Sequence, residues 1–359
     1  MLKKIFLISN EPWGDVWFSK HHYANELSKN HKVYFIDPPA NWTLFNLFSF
    51  KVRQKKVSEN LIIIQYDNNF PLFFFNYFFL FLNDLLNSLK FYVYILNYSK
   101  KYVLIWQFDP FRFVNVFLKH KRIYHVVDPY NGIKTDPFIA RKADLIVIVS
   151  QTYINYYKRF NNNIIFIPHG ISPDELMVKE KIKEEIKAKY GDFILFVGSI
   201  NHDVDIPLIS KIAYSFSNKI LLIGPILIKK ETELKKFQKL LDFKNIVYLG
   251  PLHSKELKNF VSATVLCIIP YLKGSLHRSQ TLKALNYIAQ RKIIVSSLLK
   301  DSLHLRNKII FMAENHDDFI MYIKKGLNRE LYYDMPCAEK FINDNLYSKH
   351  IEKINIALE

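Results

Sequence analysis

An α/β protein of two doubly wound domains is what this chain predicts, on three observations. Its 359 residues are long for one domain and enough for two hydrophobic cores. Short apolar, β-branched runs alternate with helical stretches along the whole length, which is the rhythm of βαβ units. The alternation breaks once, at PHGISPDE (168–175), where Pro, Gly and Pro precede a charged helix over 179–189. These features predict domains over 1–172 and 173–337, with a terminal helix over 338–359 placed to cross back onto the first.

In order, the first half offers KIFLIS (4–9), KVYFID (32–37), LIIIQ (61–65), YVLIW (102–106), RIYHVVD (122–128), LIVIVS (145–150) and IIFIP (164–168). Several are apolar on both faces, as strands buried inside a parallel sheet are. The opening run ends in Asn, Glu and Pro without a small-residue cleavage site, so it reads as a strand and not as a signal peptide. A helix over 22–30 makes the first crossover. A nicotinamide enzyme would carry G-x-G-x-x-G at this point, and SNEPWGDVWFSKHH holds a single glycine, which argues against that cofactor. FPLFFFNYFFLFL (70–82) is too short to span a membrane, since a span needs about 20 apolar residues and Asn83 and Asp84 follow directly. Extended to Tyr98, with Lys90, Lys100 and Lys101 close by, the segment fits two readings: a helix lying among lipid headgroups, or a buried helical hairpin.

The second half continues with FILFVGS (193–199), KILLIGP (219–225), NIVYLGP (245–251), VLCIIP (265–270), KIIVSS (292–297) and KIIFMA (308–313). Between the fourth and fifth of these lies a polar loop over 271–280 carrying Arg278, then a helix carrying Lys283. A basic loop beyond a strand's carboxyl end, followed by a helix N-terminus, suits a diphosphate, because backbone N–H groups and fixed cations stabilise the charge of a departing phosphate.

Composition narrows the partners. The formal net charge is +17, with 50 Lys and Arg against 33 Asp and Glu, so the surface favours polyanions. Nucleic acid fits poorly, because the basic residues are dispersed and neither zinc-finger spacing nor an aromatic RNA-binding signature appears. An acidic substrate and anionic lipid remain. Cys267 and Cys337 are too few for a disulfide framework or a thiolate metal site, and a reducing compartment follows. The pair His21–His22 points in two directions on a helix and has no third ligand, so no metal is expected.

Several segments together resemble GT-B glycosyltransferases of bacterial surface-polysaccharide synthesis, especially the teichuronic acid and xanthan glucuronosyltransferase type. They are FSKHHYANELSKNHKVYFIDPP (18–39), YHVVDPY, ARKADLIVIVSQTY (140–153), IIFIPHGIS (164–172), LFVGSINHDVDIPLI, KILLIGP, NIVYLGPLHSKELKNF and SQTLKALNYIAQRKIIVSS. The resemblance implies two Rossmann-like domains facing a cleft, and hexosyl or uronosyl transfer from a nucleotide diphosphate sugar, UDP-linked, to a lipid-linked or growing glycan. No further cofactor is implied. The expected location is cytoplasmic, peripheral on the inner face of the cell membrane, where anionic lipid is a partner.

The same resemblance carries over residue by residue. Asp128, at a strand end, becomes the general base that takes the acceptor hydroxyl's proton. Asp109 is the second choice, an Asx turn before Pro129 also suits Asp128, and His125 orients the base or sits in the core. Gly198 and Ser199 would bring amides to the donor diphosphate, and Tyr248 and Gly250 would border the nucleobase. Tyr271, Arg278 and Ser279 lie in the loop facing sugar and phosphates. Lys283 matches the lysine of the family's P-x-K-x-x-E-Y pattern, and Asn286 stands where its glutamate binds ribose. Trp17, Ser19, Lys20, His21 and His22 would meet the acceptor. Thr281, Asn286 and Arg291 depart from the pattern, and they suit an alternative: a non-catalytic glycosyltransferase-like protein that binds a glycan or partner.

Overall fold

The computed structural model describes residues 4–14, 17–40, 42–47, 49–71, 77–96, 103–112, 120–272 and 282–359. The chain divides into two compact units, one of Met1–Pro168 with Tyr347–Glu359 and the other of His169–Leu346.

The first unit runs β1 (Lys4–Ile8), α1 (Ser19–Leu27), β2 (Lys32–Ile36), β3 (Val52–Lys56), β4 (Leu61–Tyr66), α2 (Tyr77–Leu96), β5 (Val103–Gln107), β6 (Arg122–Val126), α3 (Asp136–Lys142), β7 (Leu145–Ile148), α4 (Ile154–Tyr157) and β8 (Ile164–Phe166). The second holds α5 (Pro173–Leu176), α6 (Glu180–Tyr190), β9 (Ile194–Val197), α7 (Ile206–Ser215), β10 (Ile220–Ile223), α8 (Glu231–Leu241), β11 (Ile246–Gly250), α9 (Ser254–Ala263), β12 (Leu266–Ile269), α10 (Leu282–Ala289), β13 (Ile293–Ser297), β14 (Ile310–Ala313), α11 (His316–Leu327) and α12 (Met335–Asp344). The last helix, α13 (Tyr347–Leu358), belongs to the first unit and packs on α1. There Tyr347 stacks on His22 at 5.1 Å, Tyr23 bonds His350 at 3.3 Å, and Lys121 donates to the Leu358 carbonyl at 2.5 Å.

Every apolar run read from the sequence forms a strand, and the sheets are ordered β3-β4-β2-β1-β5-β6-β7-β8 and β11-β10-β9-β12-β13-β14. All pairings are parallel except β3 with β4. β3 has no counterpart among the sequence-read strands. Its letters, VRQKK, lack the apolar run of a central strand because it is a sheet edge with residues 53–56 exposed. In each sheet the strand order reverses once, at β1/β5 and at β9/β12. Loops leaving such a point diverge to opposite faces, which opens a crevice beyond the carboxyl ends of the strands.

In the first unit a buried guanidinium fills that crevice. Arg112 donates through Nε to Asp109 at 2.5 Å, through Nη1 to the Asp37 carbonyl at 3.1 Å and to the Tyr66 hydroxyl, and through Nη2 to the Ser9 carbonyl. It thereby ties together the ends of β1, β2, β4 and β5. Burial alone would lower its proton affinity, but Asp109 and Tyr66 outweigh burial and hold it charged. Replacing Arg112 with Ala leaves Asp109 buried without its counter-ion. The first unit should lose about 3–5 kcal/mol of stability by urea unfolding. A loss below about 1 kcal/mol, as for an exposed ion pair, would refute this role.

Candidate functional site

At the reversal point of the second sheet, a stack of backbone and one lysine forms from residues far apart in sequence. Gly224 N–H donates to the Gly250 carbonyl at 2.9 Å, and Tyr248 O–H donates to the Gly224 carbonyl at 2.9 Å. Gly198 N–H donates to the Ile223 carbonyl at 2.7 Å. Gly198 and Gly224 have φ of 141° and 144°, a region that side chains rarely adopt. A Cβ on Gly224 would stand 2.2 Å from the Gly198 carbonyl oxygen, and one on Gly198 would stand 1.9 Å from Lys283 Cε. Both positions therefore require glycine, and the second lets Lys283 lie across the end of β9.

Helix α10 aims that lysine. Tyr287, one turn beyond Lys283, is fully buried and accepts the Val197 N–H at 2.8 Å, which locks the helix against β9. Lys283 Nζ donates to the Tyr271 hydroxyl at 2.6 Å and lies 4.7 and 4.8 Å from the ring centres of Phe196 and Tyr271. Burial lowers its pKa to about 8, against a partial opposing pull from Asp203. Tyr271 is itself held by Ser297, whose hydroxyl accepts its N–H at 3.1 Å and donates to its carbonyl at 2.8 Å. Tyr271 also lines a cavity of about 610 Å³ with Asp205, Leu208, Ser297, Arg306 and His316.

Of the donor residues named from the sequence, Gly198, Tyr248, Gly250, Tyr271 and Lys283 thus gather at this strand edge. Ser199 and Asn286 are half-buried, the first next to Gly198 and the second on α10. Arg278 and Ser279 lie outside the described residues. Gly224 joins the stack although sequence reasoning passed over it; its signal was the Gly-Pro ending of KILLIGP, parallel to the Gly-Ser ending of FILFVGS.

The first unit's crevice holds a different set. Asp128 is exposed, two residues beyond β6. Lys20, 2% exposed, donates to Asn10 Oδ1 at 2.6 Å and pairs with Glu11. Burial brings its pKa down to about 8, while the charges of Asp128 and Asp109 hold it up, which places Lys20 within electrostatic reach of both carboxylates. Tyr130 is buried beside Asp128, and its hydroxyl has no hydrogen-bond partner among the described residues. Burial first, then Asp128, pushes that phenol's pKa up. Sequence reasoning quoted Tyr130 within YHVVDPY without assigning it a role.

The remaining candidates divide by their partners. Asp109 accepts the N–H groups of Phe111 at 2.6 Å and Arg112 at 3.2 Å besides its ion pair, so its lone pairs are engaged. His21 accepts the Phe18 N–H on Nδ1 at 3.0 Å and therefore donates from Nε2 to the Pro12 carbonyl at 3.1 Å. It is a neutral cap of α1, its pKa lowered to about 4, chiefly by burial. His22 stacks on Tyr347, Trp17 donates to the Gly14 carbonyl at 3.1 Å, and Ser19 is buried at the start of α1. His125 lies in the core, accepting from Trp106 Nε1 at 3.2 Å and stacked on Phe108 at 4.6 Å. Among the described residues no group of three or more His, Cys, Asp or Glu could hold a metal ion.

The whole chain is similar to solved glycosyltransferase structures. Sucrose-phosphate synthase from Thermosynechococcus elongatus is 13% identical, with 99% of each chain covered and a TM-score of 0.71. A glycosyltransferase from Rickettsia africae is 14% identical over 99% of this chain and 98% of that one, with a TM-score of 0.68. Anabaena HepE in complex with UDP is 10% identical over 99% and 100%, with a TM-score of 0.66. No family model and no curated protein matches the sequence. These likenesses show the fold: GT-B, with two doubly wound α/β domains.

The stack makes a direct prediction. Gly198→Ala should destabilise the protein, and the cost should shrink when Lys283 is also Ala, with a coupling of about 0.5–3 kcal/mol in a double-mutant cycle. Equal costs in both backgrounds would show that Lys283 does not occupy the space Gly198 leaves.

Proposed function

We propose that the protein is a glycosyltransferase that moves a sugar from a nucleotide diphosphate sugar, UDP-linked, to a lipid-linked or growing surface glycan at the inner face of the cell membrane. The observation that carries this reading is the seat of Lys283 on Gly198 at the reversal point of the second sheet. A partly desolvated ammonium there meets a diphosphate at the position where doubly wound sheets bind ligands. Solved structures of similar fold include HepE with UDP and glucose and WaaG, a glycosyltransferase involved in lipopolysaccharide biosynthesis.

In this reading the acceptor oxygen bonds to the anomeric carbon while its proton passes to an Asp128 carboxylate oxygen. The anomeric carbon's bond to the diphosphate oxygen breaks, and the electron pair leaves with UDP. Lys283 faces the charge that builds on that leaving group. Asp128 is preferred to Asp109 because it is exposed, whereas Asp109 is buried and already bonded to Arg112. Asn286 in place of the family's glutamate accepts a ribose hydrogen bond without charge, which suits a donor sugar bearing its own carboxylate.

Bound diphosphate stabilises charged Lys283, so UDP binding near pH 8 should take up a proton and weaken as pH rises through 8. The calorimetric binding enthalpy at pH 8 should therefore be less exothermic in Tris than in phosphate. Lys283→Ala should weaken UDP binding and abolish that buffer difference while the protein stays folded. Unchanged UDP affinity in this variant would sink the donor site.

Asp128→Asn should keep donor binding and slow transfer by about 10²–10⁴-fold, the range typical of losing a general base. Transfer at a near wild-type rate would move the base elsewhere. A wild type that binds nucleotide sugars yet neither transfers nor hydrolyses any would favour the glycan-binding or partner-binding alternative.

A further inference from the structure

Helix α2 is built inside out. Its only charged residues, Asp84 and Lys90, are buried, as are Asn83, Asn87 and Ser88. On its outer side Phe78, Phe81, Leu85, Leu89 and Val93 are between 39% and 62% exposed. Steps of three and four residues align them in one stripe roughly 22 Å long at 1.5 Å per residue. The orientation is fixed from within. Asn83 accepts the N–H groups of Asn69 and Phe70 at 3.0 and 2.9 Å and donates to the Phe70 carbonyl at 2.9 Å. Asn87 donates to Asn68 at 2.9 Å, and Lys90 donates to the Asp67 carbonyl at 2.7 Å and to Asn87 at 3.2 Å. Turning the stripe inward would break every one of these bonds and leave buried polar groups unpaired, so the exposed apolar face is a designed surface of the unit.

The surface continues. Asn69 donates to the carbonyls of Leu47 and Ser49, and Lys90 lies 5.9 Å from the Phe50 ring, so the segment before β3 is fastened to α2. That segment exposes Leu44, Phe45 and Phe50. It leads through the exposed Lys51 into edge strand β3, where Lys55 and Lys56 are exposed. No helix among the described residues is long and apolar enough to cross a membrane.

We propose that the outer face of α2, with Leu44, Phe45, Phe50 and the lysines of β3, seats the first unit on an anionic lipid surface. This deepens the location given under the proposed function, and rests on it only for the lipid-linked acceptor. Lipid fits better than a second copy of the chain, because a self-complementary contact would bring matching lysines together on molecules of net charge +17, whereas anionic headgroups neutralise them. The aromatic and aliphatic groups would lie at the boundary of headgroups and acyl chains.

Flotation of the full-length protein with phosphatidylcholine vesicles, with and without phosphatidylglycerol, tests the assignment. The wild type should float with the anionic vesicles and be released by salt. The triple variant Phe81→Ser, Leu85→Ser, Leu89→Ser should stay at the bottom. Lys55→Gln with Lys56→Gln should lower partitioning roughly thirtyfold, from about 1 kcal/mol per lysine. Phe81→Trp, which keeps the face apolar, should gain blue-shifted emission on vesicles even if the triple variant fails to fold. UDP affinity should be unchanged in all folded variants, so loss of lipid binding is separable from loss of the donor site. A wild type that never floats overturns the proposal, as do serine variants that float equally well. A wild-type dimer that the triple variant converts to monomer, without vesicle binding by either, assigns the face to a second copy instead.

Discussion

Each sheet reverses its strand order once, and a cation withdrawn from solvent, Arg112 buried and Lys283 half-buried, lies at the gap that the reversal opens. The gap is unavoidable, since parallel strands on either side of the reversal send their following loops to opposite faces. Carbonyl groups at the strand ends border that gap. In the first unit Arg112 satisfies two such carbonyls, of Ser9 and Asp37, together with the Asp109 carboxylate. In the second Lys283 lies across the end of β9 only because Gly198 carries no side chain.

The two cations differ in what they leave free. Arg112 has its donors spent on fixed protein acceptors, which suits a structural rivet. Among the described residues Lys283 bonds the Tyr271 hydroxyl and otherwise rests on aromatic faces. An ammonium so placed is incompletely solvated, which is the physical meaning of its lowered pKa, and it gains from meeting an anion. Lys20 repeats the theme in the first unit, where Glu11 and Asn10 hold it near Asp128.

The polar face of α2 shows a related economy. Asn83 and Lys90 bond backbone groups over 67–70 that no strand or helix satisfies, and Asn87 bonds the Asn68 side chain. The helix is held by these hydrogen bonds together with the buried Phe91, which packs on Tyr66, while Phe78, Phe81, Leu85, Leu89 and Val93 are left for the surface.

Thirteen of the strands were legible as apolar runs because strands buried on both faces must be apolar throughout, and the two-domain division followed from their alternation. β3 was not legible, since an edge strand needs only one buried face and its residues 53–56 are polar. Letters alone left 70–98 divided between core and lipid, because hydrophobicity does not say which side of a helix faces inward. That was decided by Asn83, Asn87 and Lys90 finding carbonyls and amides brought near by the preceding loop. The glycines of FILFVGS and KILLIGP were visible as strand endings, yet their stacking beneath Lys283 required the parallel register of β9, β10 and β11 and the docking of α10. His21, assigned from the sequence to the acceptor, caps α1, and Tyr130, given no role there, is a buried hydroxyl beside Asp128. Sequence by itself determined the thirteen strands buried in the sheets, since an unbroken apolar run is a local property. Only the tertiary structure decided which side chains meet, because each such meeting joins residues from different crossovers.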